Sequence, residues 1–364
     1  MIVSHSVRHC RFRPAWVTEN ERVDIFTNLS EQTNYSMPKL QGIITAWVMS
    51  AAFENGAKVA TNDGHVEEQD YTKQSVYSLL YALYRSVGNV KSDLGTPYEF
   101  TFNTWGYAWP ATWGKAPSGP DDPQRFGRNA YTGLYHFDAI KKLASERGGR
   151  VHIVEMGCGT GAGADHTCQS TLPSCTYEAV DMQMAGVTTC RRKFVPRHRG
   201  RLVATRADAT RLPIDDEVAD IVAVCETHVT DQGEVMTEED RKFFRSARRV
   251  LKPGGYFVWG NAIPDKAWQP SFDFMESIGL KIRQVDDVTN EGVIARDQDA
   301  ARIQAYIDQA LDKFGAFRIP VYGPRRRKEA ELAMKNLCRD PGTRLYEDMR
   351  TRLDTYKVVL AQRV

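Results

Sequence analysis

Residues 151–163, with the sequence VHIVEMGCGTGAG, decide the fold. The stretch begins with a short apolar run rich in β-branched residues, reaches an acid at Glu155, and then carries four glycines in seven positions. Such an apolar run is typical of a buried strand. Glycines lack a Cβ atom, so their repetition indicates a turn whose backbone approaches a ligand closely. The stretch alone does not distinguish a dinucleotide from other ligands.

The composition is that of a globular chain without a strong charge bias. Of the 364 residues, 42% are hydrophobic and 26% are charged, which allows a sizeable core. The formal net charge is +2, so the overall charge gives no support for a nucleic-acid partner. Seven cysteines without a CxxC pair argue against a disulfide framework or a structural zinc site. We therefore expect a reducing, cytoplasmic setting and no bound metal.

The alternation of strand and helix patterns predicts an α/β fold. We expect a doubly wound, mostly parallel, seven-stranded sheet with crossover helices. The longest apolar run near the start, 40–53, is shorter than the ~20 residues of a membrane span, so no span is expected. The predicted division is an N-terminal helical extension with an aromatic lid at 1–148, a core at 149–290, a helical insertion at 291–352 and the final core strand at 353–364. Helices are predicted at 38–56, 72–87, 128–145, 298–314 and 326–337.

Residues 97–123 form an aromatic segment, PYEFTFNTWGYAWPATWGKAPSGPDDP. Prolines and glycines interrupt it repeatedly, so its aromatic side chains cannot share one face of a single helix or strand. Two interpretations stay open. The segment is either a loop that packs over the main core or a lid that covers the open end of a ligand pocket.

Further motifs follow the glycine-rich stretch in a fixed order: YEAVD ending at Asp181, RADA containing Asp208, and RVLKPGGY at 249–256. With this order and spacing, residues 151–261 resemble the class I S-adenosylmethionine-dependent methyltransferases. The resemblance implies a Rossmann-like fold and S-adenosylmethionine as cofactor. It also implies that Glu155 orients the cofactor's ammonium group through the loop, that Asp181 binds the ribose hydroxyls, and that Asp208 accepts from the adenine amino group. The cofactor-binding residues expected on this basis are Glu155, Gly157, Cys158, Gly159, Gly161, Asp181, Met182, Asp208, Ala209 and Tyr135.

A narrower resemblance lies outside the cofactor motifs. The block NTWGY at 103–107, the segment GLYH at 133–136, His228 and the helical insertion resemble the phenolphthiocerol and phthiotriol dimycocerosate O-methyltransferases and their relatives that act on lipid or polyketide hydroxyls. The resemblance implies an apolar acceptor, and the candidate substrate residues are Trp105, Tyr107 and His136. The N-terminal extension is longer than in that family, so the identity of the substrate is not carried over.

His228 and Glu226 are the candidate catalytic residues. His228 follows the fourth strand, at the edge where doubly wound sheets bind ligands. A neutral imidazole, with an ordinary pKa of about 6.5, can take the proton of a hydroxyl during methyl transfer. The alternative is a histidine that only hydrogen-bonds the cofactor or a backbone group. Glu226 is expected to orient His228 or to contact the substrate.

These features favour methyl transfer to a small, fairly apolar acceptor, with oxygen as the target atom. Methylation of carbon or nitrogen is the nearest alternative. Two other classes remain: a methyltransferase acting on a macromolecule, and a cofactor-binding protein that serves as a scaffold or catalyses a rearrangement. The partner is then a small-molecule substrate, and a homodimer is an oligomeric state that the sequence allows.

Overall fold

The computed structural model describes residues 87–92, 94–227, 236–312 and 322–364. The helices expected at 38–56 and 72–87 therefore lie outside the described residues, apart from Val87. Of the candidate catalytic residues, Glu226 is described and His228 lies outside the described residues.

The described elements alternate between strands and helices, as expected. The strands are β1 Asn89–Lys91, β2 Pro97–Glu99, β3 His152–Met156, β4 Thr176–Asp181, β5 Leu202–Arg206, β6 Ala219–Cys225, β7 Leu251–Pro264, β8 Leu280–Asp287 and β9 Asp354–Arg363. The helices are α1 Arg125–Gly133, α2 Asp138–Glu146, α3 Ala162–His166, α4 Met184–Lys193, α5 Glu238–Val250, α6 Asp265–Ser277, α7 Thr289–Asp312, α8 Tyr322–Leu337 and α9 Arg344–Arg350.

Seven of these strands form one sheet in the order β5-β4-β3-β6-β7-β9-β8. Strands β3 to β7 pair in parallel, and β9 pairs antiparallel with both β7 and β8. Parallel pairing requires a crossover between strands, and α3, α4 and α5 supply those from β3 to β4, from β4 to β5 and from β6 to β7. The predicted mostly parallel, seven-stranded sheet is therefore confirmed.

The core has two layers because successive side chains of a strand point to opposite faces of a sheet. Ile153 and Ile221 enter one apolar cluster, whereas Val154 and Val222 enter the cluster on the other face. All seven residues of β6 are buried, which is expected of a central parallel strand covered by helices on both sides.

The structure corrects the prediction of one helix at 128–145. The chain instead forms α1 and α2, and Phe137 between them is extended, with ψ 137°. His136 lies in this break: its Nε2 is 2.7 Å from Asp286 on β8, and its ring stacks on Trp113 at 3.6 Å. These contacts come from residues distant in sequence, so helical periodicity did not reveal the break.

The insertion also differs in detail from the prediction. Its first helix begins at Thr289 rather than at residue 298, and a further helix, α9, follows the second one. The short hairpin β1-β2 was not predicted and packs against α7, where Phe100 stacks on Tyr306 with ring centroids 4.3 Å apart. The N-terminal part and the insertion therefore share an apolar cluster. The division of the chain at 148, 290 and 352 stays a prediction.

In the part of the chain that the structure describes, no helix is long and apolar enough to cross a membrane.

Candidate active site

The glycine-rich loop follows β3 and is held tightly on two sides. Gly157, Gly159 and Gly161 have positive φ angles of 84°, 55° and 86°, a region that side chains with a Cβ atom rarely adopt. A Cβ atom on Gly157 would lie 2.0 Å from the hydroxyl oxygen of Thr227, and one on Gly161 would lie 2.3 Å from the sulfur of Cys190. The loop therefore needs glycine both for its conformation and for its space.

Asp181, at the end of β4, ties this loop to the neighbouring strand. One carboxylate oxygen accepts from the backbone N–H of Gly159 at 2.8 Å, and the other from that of Gln183 at 2.7 Å. Burial raises the pKa of Asp181 to about 6, although both backbone donors act to lower it. The next side chain, Met182, is 44% exposed and lies at the same edge of the sheet.

Asp208 follows β5 and caps a short turn. Its carboxylate accepts from the backbone N–H of Thr210 at 2.9 Å and from the side chain of Arg211 at 3.1 Å. Ala209 is half-buried beside it. The carboxyl ends of parallel strands meet at one edge of a sheet, so Asp208 stands at the same edge as Asp181 and the glycine loop.

Glu155, the acid at the end of β3, is completely buried. Its Oε2 accepts from the hydroxyl of Tyr177 at 3.1 Å, and its Oε1 has no hydrogen-bond partner among the described residues. Burial raises the pKa of Glu155 to about 7, against the nearby hydroxyls of Tyr131 and Tyr177, which lower it. The side chain is therefore a carboxyl group that changes charge near neutral pH.

Glu226 is the first residue after β6 and has a positive φ of 48°. Its Oε1 accepts from the Thr104 hydroxyl, the Gly106 backbone N–H and the Tyr356 hydroxyl, at 2.5 to 2.9 Å. Its Oε2 accepts from the Trp105 backbone N–H at 2.6 Å. The carboxylate thus anchors the aromatic segment to the carboxyl end of the sheet, and four donors occupy its two oxygens.

Trp105 connects this anchor to the insertion. Its indole N–H donates to the backbone oxygen of Leu337 at 2.8 Å, and the guanidinium of Arg339 lies 4.3 Å from the centre of its ring. The buried side chain of Arg296, on α7, donates to the backbone oxygen of Trp105. The insertion and the end of β6 are therefore joined through one residue of the aromatic segment.

Three predicted site residues have packing contacts in the structure. Tyr107 is buried edge-on against Tyr356, with ring centroids 5.1 Å apart. The buried hydroxyl of Tyr135 lies 3.4 Å from that of Tyr177. His136 is held between Trp113 and Asp286, and burial lowers the pKa of its ring. These contacts are consistent with a packing role for each of the three residues. The roles of these residues in binding stay predictions.

Thr227 fixes the chain immediately before His228. Its hydroxyl donates to the backbone oxygen of Gly157 at 3.1 Å, and its own backbone oxygen accepts from the side chain of Asn261 at 3.0 Å. The structure therefore places the residue that precedes His228 against the glycine loop.

Three side chains that hold this site together were not predicted from the sequence. Tyr177 donates a hydrogen bond to Glu155, and Tyr356 donates one to Glu226. Arg296 donates one to the backbone oxygen of Trp105. Tyr177 is on the same face of the sheet as Glu155, so strand alternation was a usable signal for it. The contacts of Tyr356 and Arg296 span 130 and 191 residues, and no local pattern encodes them.

The site fits the cofactor implied by the motifs in two respects. The glycine loop packs its backbone closely against neighbouring side chains, and acids stand at the ends of three adjacent parallel strands. This arrangement, on a doubly wound sheet whose ligands bind at the carboxyl ends of the strands, is that of the class I methyltransferase fold.

Comparison with known proteins agrees with that class. Residues 154–259 match the family model described as a methyltransferase domain. A phthiotriol/phenolphthiotriol dimycocerosates methyltransferase of Mycobacterium tuberculosis is 28% identical over 223 residues, which cover 60% of this chain and 74% of the relative. A fatty-acid O-methyltransferase of Mycolicibacterium smegmatis is 28% identical over 241 residues, which cover 64% of this chain and 79% of the relative.

A solved structure, that of the [4+2]-cyclase SpnF, shares the fold with a TM-score of 0.50 and 18% identity, and the match covers 80% of this chain and 95% of that one. At that identity the likeness concerns the fold alone. The family match and the two relatives identify the chain as an S-adenosylmethionine-dependent methyltransferase, and it has the class I fold.

Proposed function

We propose that the protein transfers the methyl group of S-adenosylmethionine to a hydroxyl oxygen of a small, fairly apolar acceptor. The relatives support an acceptor of this kind, since one is named for the O-methylation of fatty acids and the other for dimycocerosates of phthiotriol and phenolphthiotriol. The observation that carries the proposal is the anchor at Glu226, which holds the aromatic segment at the carboxyl edge of the sheet.

In this proposal the glycine loop and the strand-end acids bind the cofactor. Gly157, Cys158, Gly159 and Gly161 line its amino-acid end with backbone, while Glu155 supplies charge behind the loop. Asp181 and Met182 bind the ribose side, and Asp208 with Ala209 binds the adenine. When bound, the cofactor supplies a methyl group on a positively charged sulfur. The protein itself must align the acceptor with the methyl group and exclude water from the site.

The aromatic segment and the insertion form the acceptor side. Trp105 is fixed between Glu226 and the insertion by contacts to its backbone, its indole N–H and its ring face. Such a fixed aromatic wall provides apolar surface next to a few polar groups, which is typical of pockets for small apolar ligands. Tyr107 and His136 support that wall through their packing contacts.

His228 is the proposed base, and Glu226 is the proposed positioning residue. Methyl transfer to a hydroxyl releases its proton, and a neutral imidazole at the carboxyl end of β6 can accept it. Since four hydrogen-bond donors already occupy the Glu226 carboxylate, we assign this side chain to holding the aromatic segment rather than to proton transfer.

The test uses purified protein, methyl-labelled cofactor and a panel of acceptors: a long-chain fatty acid, a long-chain alcohol and an alkyl phenol. Label is expected in an ester or ether methyl group, identified by mass spectrometry and by NMR. Label on carbon or nitrogen would overturn the choice of oxygen. Binding of S-adenosylhomocysteine without transfer to any acceptor in the panel would overturn the proposed acceptor class and leave the cofactor site intact.

The base role is tested separately with His228→Ala. If His228 accepts the proton, turnover should fall by about 100-fold or more, while calorimetry should show an affinity for S-adenosylhomocysteine within about threefold of the unchanged protein. The pH dependence of turnover should also lose the limb that reflects an imidazole. An unaffected rate would rule out base catalysis by His228.

A further inference from the structure

Two buried thiols face each other outside the cofactor and acceptor regions. The sulfur atoms of Cys168 and Cys175 are 3.6 Å apart, and both side chains are buried at 1% and 0% exposure. A disulfide has a sulfur–sulfur distance of about 2.05 Å. The two sulfur atoms therefore need to approach each other by roughly 1.5 Å to form a bond.

The backbone around Cys168 departs from the regular α-helix. Cys168 lies in a π-helical turn, Thr167–Thr171, which ends α3 and which the N–H of Leu172 closes onto the oxygen of Thr167. A π-helical turn is a rare departure from the α-helix and is often found at functional sites. The connecting residues Gln169, Ser170, Pro173 and Ser174 are exposed. The connection between the two thiols therefore runs along the protein surface, although both sulfur atoms are buried.

We propose that Cys168 and Cys175 form a reversible intramolecular disulfide on reaction with a hydroperoxide. Cys175 is the nucleophile in this scheme. Its sulfur lies within hydrogen-bond distance of the Cys168 thiol, and the guanidinium of Arg201 donates to its backbone oxygen at 3.1 Å. The hydrogen bond from Cys168, helped by the charge of Arg201, holds the pKa of Cys175 below its ordinary value in spite of burial.

The reaction balances with one molecule of hydrogen peroxide. The Cys175 thiolate attacks one peroxide oxygen, the O–O bond breaks, and the leaving hydroxide takes the proton of Cys175 as water. The Cys168 thiolate then attacks the resulting sulfenic sulfur, the S–S bond forms, and the second hydroxide leaves as water with the proton of Cys168. The two thiols lose two electrons, which reduce the peroxide to two molecules of water.

The bond would link two elements that both lead to the cofactor edge. Helix α3 begins directly after the glycine loop, and β4, which starts after Cys175, ends at Asp181. Closing this short loop restricts the unfolded chain. The oxidised protein should therefore melt at a higher temperature, by on the order of 3 °C.

Peptide mapping tests the proposal on the full chain. After exposure to hydrogen peroxide and blocking of free thiols under denaturing conditions, cleavage on the amino side of aspartate releases residues 165–180, whose only cysteines are Cys168 and Cys175. The expected product is this peptide without the blocking group and about 2 Da lighter than its reduced form, because the disulfide lacks two thiol hydrogens. Dithiothreitol should restore the mass of the reduced form. The peptide 181–207, which contains only Cys190, serves as the internal control and should stay blocked.

Two results would overturn the proposal. One is a peptide 165–180 with both thiols blocked after peroxide exposure, and the other is a peptide with either sulfur oxidised to a sulfinic acid and no bond between them. Cys168→Ala and Cys175→Ala should each abolish the peroxide-dependent rise in melting temperature. If either variant fails to fold, the mapping of the unchanged protein decides the question. Methyl transfer is not measured at any step, so the outcome is independent of the proposed function.

Discussion

The burial of Glu155 links the proton on one carboxyl group to the stability of the whole fold. The pKa of this side chain is raised from 4.5 to about 7 in the folded protein. Between those two pH values the folded state holds a proton that the unfolded state has lost. The free energy of unfolding should therefore fall as pH rises from about 4.5 to 7, by on the order of 3 kcal/mol.

Glu155→Gln should remove this part of the pH dependence because the amide does not titrate. We expect the variant to lose less stability than the unchanged protein between pH 5 and pH 8 in urea unfolding. Asp181, with a pKa raised from 3.8 to about 6, remains in both proteins and keeps a slope of the same sign in each. Glu178→Gln, on the neighbouring strand, is the matched control and should behave as the unchanged protein does. Identical pH dependence in Glu155→Gln and the unchanged protein would contradict this prediction.

Glycine is required at position 157 for two reasons, a positive φ angle and the lack of space for a Cβ atom. Comparison with a second glycine separates the two. Both Gly157 and Gly254 have positive φ angles, 84° and 78°. A methyl group on Gly157 would lie 2.0 Å from Thr227, whereas one on Gly254 would meet no atom within 4 Å among the described residues. Gly254→Ala should thus cost about 1 to 2 kcal/mol from conformation alone. Gly157→Ala should cost a further 1 to 3 kcal/mol, roughly, from overlap.

Urea unfolding of the two variants measures this difference. Equal losses would show that the contact with Thr227 is unimportant. A second substitution, Thr227→Ala in the Gly157→Ala background, should recover part of the overlap cost, since it removes the atoms nearest to the new methyl group.

At the scale of elements, the aromatic segment depends on Glu226. Glu226→Gln replaces one acceptor oxygen with an N–H donor that must face another donor, at a cost of about 1 to 3 kcal/mol. The segment should loosen, so turnover should fall at least about tenfold while affinity for S-adenosylhomocysteine changes by less than about threefold. Calorimetry and a methyl-transfer assay measure the two effects.

Limited proteolysis gives a readout of the segment itself. Lys115, which is exposed within the segment, should be cleaved faster in Glu226→Gln than in the unchanged protein. Glu238→Gln, at the exposed start of α5, is the control. If cleavage at Lys115 and turnover both stay unchanged, Glu226 does not position the segment.

The elements also show which features can be predicted from sequence. The strands of the core follow from apolar runs that end in glycine or acid, and their parallel order follows from the intervening helices. The break at His136 and the anchor at Glu226 could not be predicted, because their partners are 150 and about 120 to 130 residues away. In both cases long-range hydrogen bonds hold the local conformation. Gly133 ends α1, but an isolated glycine inside a helical pattern is only a weak stop signal, and no glycine or proline adjoins Glu226.

At the scale of the whole molecule, binding of a ligand to the folded protein should increase its free energy of unfolding. A ligand that binds only the folded state adds about 2.7 kcal/mol at a concentration of about 100 times its dissociation constant. S-adenosylhomocysteine should therefore raise the melting temperature in a concentration-dependent manner. Asp181→Asn should reduce that rise. The two carboxylate oxygens accept hydrogen bonds from two backbone N–H groups, and the NH₂ group of asparagine, a donor, would replace one of these acceptors. Differential scanning calorimetry measures both, and an equal rise in the two proteins would argue against a role for Asp181 in cofactor binding.

The sheet order also has a consequence for the order of folding. Among the strands that the structure describes, β8 pairs only with β9, and β9 lies between β7 and β8. During synthesis, β8 leaves the ribosome before the insertion and β9 do, so this edge of the sheet has no pairing partner until the insertion has been made. Contacts between segments so distant in sequence form slowly, and an unpaired strand invites aggregation meanwhile. The nascent protein should therefore depend on chaperones most during synthesis of the insertion.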